Sequence, residues 1–150
     1  MPGSRFRRLA PALVALSLVA SARVSAQARP HTPAPASPER RAIMDALRAP
    51  MQRELRKPVI FEVRTLRVLG AWAFVDAVPR RPGGAPFDYR GTPYQEAIDE
   101  GMFDDGIFAV LRRGRDGVWR VLRYAIGATD VAWIAWEEEL GAPRAIFPYP

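Results

Sequence analysis

The sequence predicts an α+β domain: a bent four-stranded antiparallel sheet packed with an N-terminal helix, a short central helix and a C-terminal helix. Three observations lead there. Ile43, Leu47, Met51 and Leu55 recur every fourth residue, the spacing of one apolar helix face. Four apolar stretches with strand-type alternation follow, joined in pairs by short turns that contain glycine. Trp133, Trp136 and Leu140 then return to helical spacing.

The first helix should start at Ser37, a good N-cap, with Pro38 in the first helical position and Glu39 in the first turn. Met44 joins its apolar stripe, while Arg40, Arg41, Arg48 and Arg56 lie outside it. Pro50 should kink or restart this helix, and Pro58 should end it.

The first strand begins at Val59. Phe61 and Val63 alternate with Glu62 and Arg64, whereas Leu66 and Val68 are out of phase with them by one residue. An extra residue near Arg64 or Thr65 puts all four on one face and bends the strand. Gly70 turns the chain into the second strand, "GAWAFVDAVP", which Pro79 stops. There Trp72, Phe74 and Val78 share a face with Asp76.

A long loop, "RRPGGAPFDYRGTP", leads to a short helix that Thr92 should cap, with Pro93 next and Gln95 in the capping-box position. The third strand is expected over Gly106 to Arg112 and the fourth over Val118 to Ile126. "TDVAWIAWEEELG" reads as the last helix, capped by Thr129 or Asp130 and closed by Gly141 and Pro143. The helices are expected on one face of the sheet. Phe61, Val63, Trp72, Phe74 and Trp119 are expected to form one inward surface, and the C-terminal "AIFPYP" to dock on the sheet.

The pattern "FEVRTLRV…WAFVDA…LRR…GVWRV…TDVAW" resembles a set of small exported bacterial proteins of unknown function, and the layout is similar to the cystatin-like curved-sheet folds. The resemblance covers Pro38 to Pro143 and implies a fold, not an activity.

Residues 1–26 read as a secretory signal peptide. Arg5, Arg7 and Arg8 form the positive region, Leu9 to Ala22 the apolar one, and Val24 to Ala26 the cleavage site. Export to the periplasm or beyond follows as an expectation, with no membrane span after cleavage. Residues 27–37 are Pro/Ala-rich and read as a tether, leaving 38–150 as one domain. Four of the 22 basic residues precede the cleavage site and no acidic residue does. That leaves 18 basic against 16 acidic, a net +2. So small a charge lacks the footprint of a nucleic-acid binder. There is no cysteine for a disulfide, so stability rests on the core.

The inventory excludes several chemistries. Every serine (Ser4, Ser17, Ser21, Ser25 and Ser37) precedes or begins the first helix, and the single histidine, His31, lies in the tether. Ser-His-Asp and Cys-His sites need three groups within hydrogen-bond reach, and the domain has no such set. Zinc ligation and phosphate-loop patterns are equally missing, so no cofactor or metal is expected.

What remains is carboxylates and arginines. Asp99, Glu100, Asp104, Asp105 and Asp130 gather near strand ends, without the spacing of a calcium loop, and read as solvated turns. Asp76 is the candidate catalytic residue if it is enclosed, where burial would fit it for acid–base work. Arg112, Arg113, Arg115, Arg120 and Arg123 cluster in one hairpin, and with Trp136 they make a candidate partner surface. Two functions follow as expectations. The first is an exported, non-enzymatic module that binds an envelope protein or an anionic envelope component. The alternative is a small-ligand pocket or weak acid–base enzyme that uses Asp76. Oligomeric state leaves no mark on the sequence.

Overall fold

The computed structural model describes residues 28–150; the signal-peptide expectation lies outside them. The chain forms helix α1 (Pro38–Leu55), strands β1 (Ile60–Leu69) and β2 (Trp72–Arg80), helix α2 (Gln95–Asp99), strands β3 (Ile107–Arg113) and β4 (Trp119–Ile126), helix α3 (Trp136–Leu140), and a 3-10 turn over Arg144–Ile146. The strands pair antiparallel in the order β1-β2-β3-β4, an α+β layout with an open sheet.

Ser37 caps α1, its Oγ accepting from the Arg40 amide at 3.2 Å. Ile43, Met44, Leu47, Met51 and Leu55 are buried along one stripe. The expected break at Pro50 does not occur, and α1 runs through it. Proline has no N–H for the Ala46 carbonyl, but both residues border an open groove that solvent reaches. The helix stops at Leu55, and Arg56 takes left-handed geometry at φ 56°. Lys57 Nζ then donates to the carbonyls of Asp88 and Arg90 at 2.7 and 2.6 Å, tying down the long loop.

The break of phase in β1 is a bulge. Val63 pairs with Ala77 and Thr65 with Asp76, so Arg64 is the extra residue. Phe61, Val63, Leu66 and Val68 therefore all reach the core beneath α1. A second register shift separates Val110↔Arg123 from Leu111↔Val121 and leaves Leu122 unpaired in β4.

The sheet is buried on both sides. One face packs Ala73, Val75, Ala77, Ile107, Ala109, Leu111 and Trp119 against α1. The other packs Phe74 and Val110 against Trp133, Trp136, Ile146 and Phe147. This corrects the expectation of helices on one face. It also separates Trp72 and Phe74 from Phe61, Val63 and Trp119. The cause is β2, whose sequence is apolar at both parities and leaves neither face for water. The C-terminal segment does dock on the sheet, with Phe147 1% exposed.

Two short helices start later than expected. The Thr92 hydroxyl accepts from the Tyr94 amide, but regular helix begins only at Gln95. The last helix is Trp136–Leu140, preceded by turns that carry Trp133 into the core. Upstream of α1, the tether residue His31 exchanges two backbone hydrogen bonds with Val68 on the outer edge of β1, at 2.9 and 2.8 Å. The Thr32 hydroxyl donates to the Leu66 carbonyl beside it.

Candidate functional site

Asp76 sits in β2 between Thr65 of β1 and Phe108 of β3, on the face that carries Phe74. Its side chain is 19% exposed, and Oδ1 is buried without a hydrogen-bond partner. The β1 bulge aims Arg64 towards it. Arg64 Nη1 lies 3.9 Å from Asp76 Oδ1, while Nη2 reaches Asp105 at 3.2 Å. Burial pushes the Asp76 pKa above the usual carboxylate value; Arg64 pulls it down and Asp104 pushes it up, both more weakly.

Burial suits this carboxylate to holding a proton. Among the described residues, open clefts include one of about 930 Å³ beside Glu137, Arg144 and Tyr149 and one of about 390 Å³ between α1 and β4. Asp76 lines neither. The nearby acidic residues have local partners. Asp104 Oδ1 accepts from the Gly106 amide at 2.8 Å, Asp105 pairs with Arg64, and Asp99 accepts from Gln95. Among the described residues no group of three or more acidic, histidine or cysteine side chains is placed to hold a metal ion.

The arginine cluster divides in two. Arg120 contacts both oxygens of Asp116, at 3.0 and 2.6 Å, and this holds the Asp116 carboxyl down at about 2. Arg123 pairs with Glu139. Arg112, Arg113 and Arg115 make no ion pair among the described residues. The Arg112 guanidinium lies 4.9 Å from the Trp72 ring centre, and Arg113 lies 5.4 Å from that of Trp119. Those rings belong to opposite faces, so the end of the β3–β4 hairpin presents a cation on each. Trp136 is no part of this surface. It is 5% exposed and packs with Trp133 and Ile146, which removes it as a candidate contact residue.

The sequence reading passed over the groove between α1 and β4, lined by Ala46, Ala49, Pro50 and Arg53 of the helix and Trp119, Arg120, Val121, Leu122 and Tyr124 of the strand. A signal for it was present. "WRVLRY" breaks phase after Val121 as "EVRTLR" does around Arg64, and the break turns Leu122 outward, 45% exposed. Tyr124 of the groove shares Glu54 with Tyr94; the Glu54 carboxylate accepts from the two hydroxyls at 3.4 and 3.0 Å.

No protein-family model, no curated protein and no solved structure matches the chain. Among the described residues no helix is long and apolar enough to cross a membrane.

Proposed function

We propose that this protein is an exported, non-enzymatic binding module of the cell envelope that holds an anionic partner, a protein or another envelope component, at the end of its β3–β4 hairpin. The export half of this reading rests on the charged, apolar and small-residue pattern of residues 1–26. The layout, with one long helix across an antiparallel sheet, supports the resemblance to cystatin-like folds.

The observation that carries the binding half is the set of arginines without carboxylate partners among the described residues. Arg112 and Arg113 rest on tryptophan rings, and Arg115 stands in the exposed turn. A cation–π contact of this kind does not use up the guanidinium N–H groups, which remain available to carboxylate or phosphate oxygens. The hairpin extends from a sheet filled on both faces, so it is held rigidly. A rigid cationic end loses little conformational entropy on binding.

The test is capture from envelope extract, with the wild-type protein and the Arg112→Glu/Arg113→Glu/Arg115→Glu variant as baits. A partner retained by the wild type, lost by the variant and released at about 1 M salt, where charges are screened beyond about 3 Å, supports the reading. Equal retention by both baits refutes it.

A second reading keeps Asp76 as the ionisable group of a small-ligand site. What favours it is the buried Oδ1 with no hydrogen-bond partner. Asp76→Asn would then abolish binding of the ligand or turnover while the fold persists.

A further inference from the structure

We infer that the groove between α1 and β4 receives an extended segment of a partner protein in which acidic and apolar side chains alternate. This rests on the reading above in taking the partner to be anionic, and adds where it lies and what it is made of.

Three features of the groove point to that occupant. The first is its mixed wall. Ala46, Ala49, Pro50, Val121 and Leu122 are apolar, while Arg53 stands among them without an ion-pair partner among the described residues. Trp119, which carries the Arg113 guanidinium on its ring, forms another part of the wall. An acidic side chain next to an apolar one complements such a surface. Glu54, the carboxylate beside the groove, is already held by two tyrosine hydroxyls.

The second feature is Pro50. It cannot donate to the carbonyl four residues earlier, so the Ala46 carbonyl lacks its helical donor, and both residues line the groove. An acceptor freed within an apolar wall suits a backbone N–H of an extended chain.

The third is the bulge at Leu122. It bends the outer edge of β4, so a long strand cannot simply add to the sheet there. It also pushes an exposed leucine to the groove's rim. Docking therefore works through side chains and a few backbone bonds. From Ala46 to Arg53 the helix rises about 10 Å, room for roughly three residues of extended chain.

The experiment measures binding of a short labelled peptide alternating Glu and Val, by fluorescence anisotropy. Two counterparts replace Glu with Lys, or Val with Ser. The Glu–Val peptide should bind best. Arg53→Glu and Leu122→Ser, both at solvent-accessible positions, should each weaken it about tenfold, the size of one good contact. Pro50→Ala returns an N–H to the helix; it should hold or raise the melting temperature and still weaken binding severalfold. Arg144→Glu, at the other cleft, should change nothing.

If the Glu–Val and Lys–Val peptides bind alike, or neither Arg53→Glu nor Leu122→Ser weakens binding, the inference fails. If the peptide binds but only the triple arginine variant of the hairpin loses it, the groove is the wrong place and the hairpin reading stands. Failure of every acidic peptide overturns the groove, and the hairpin reading falls with it only if envelope extract also yields no salt-sensitive partner. Anionic lipid vesicles bound in place of the peptide, through Arg53 and Leu122, would mean that the class of partner is wrong.

Discussion

Arg64 Nη1 lies 3.9 Å from the buried Oδ1 of Asp76, near enough to attract it and too far for a hydrogen bond. The guanidinium is shared with Asp105, so its charge offsets only part of what burial costs the Asp76 carboxylate.

A pH dependence follows. The Asp76 pKa is raised in the folded state by burial, so the native protein holds this proton more readily than the unfolded chain. From the ordinary carboxylate value of 3.8 up to the raised one, stability therefore falls as pH rises, and the loss is complete above that window. Asp76→Asn should melt higher than the wild type at neutral pH. The gap should close as pH falls through that window. A lower melting temperature for the variant at neutral pH would show instead that attraction to Arg64 outweighs burial.

Trp119 is 5% exposed in the core beneath α1. Trp119→Ala should cost about 3–5 kcal/mol in urea unfolding, as other large aromatic truncations do. Arg120→Ala, next along the strand and pointing to water, should barely move the midpoint. Near-equal midpoints for the two variants would reassign Trp119 from the core to the binding surface.

Phe147 closes the opposite face. Its ring centre lies 5.5 Å from that of Phe74 and 5.8 Å from that of Trp133, and its carbonyl accepts from Arg67 at 2.8 Å. Phe147→Ala should also cost about 3–5 kcal/mol. It should flatten the near-ultraviolet circular dichroism of the tryptophans packed around it. Retained stability and spectrum would show the C-terminal segment to be a passive cover.

Gly127 adopts φ 74°, and a Cβ there would stand 2.1 Å from the Phe103 ring. Gly83 adopts φ 95° with nothing within 4 Å of such an atom. Both alanine variants suffer the left-handed backbone, and only the first meets a neighbour. Gly127→Ala should therefore be the less stable by about 1–3 kcal/mol, the usual cost of overpacking. Equal losses in thermal melts would mean that Phe103 swings clear.

Ser37→Ala should lower stability by about 1 kcal/mol, because it removes the acceptor for the Arg40 amide. Ser37→Asp should restore it. A silent Ser37→Ala would mean that the packing of Ile43 and Leu47 alone fixes the start of α1.

Local rules made much of this fold legible. The N-cap at Ser37 and the phase break near Arg64 each leave a mark within a few residues, and the structure has both. Which side of the sheet each helix covers was not legible. "AWAFVDAV" is apolar at every position but one, so it says that β2 is buried and not what covers it. Trp136 failed as a surface residue for a related reason. Its burial depends on Trp133, Ile146 and Phe147 arriving from other segments, and no periodicity records that. The candidate site was half legible: the hairpin arginines are adjacent in sequence, whereas the groove joins residues about 70 positions apart.

The pairing of His31 with Val68 also bears on how copies of this protein can meet. The chain stoppers one side of its own sheet. The far half of β1 is occupied by the segment before α1, and the near half is bent at Arg64. Strand β4, the other margin, is bent in its turn by the bulge at Leu122, so neither margin of the sheet is straight along its whole length. Growth of a ribbon needs two straight, open margins on every unit, and this sheet offers neither.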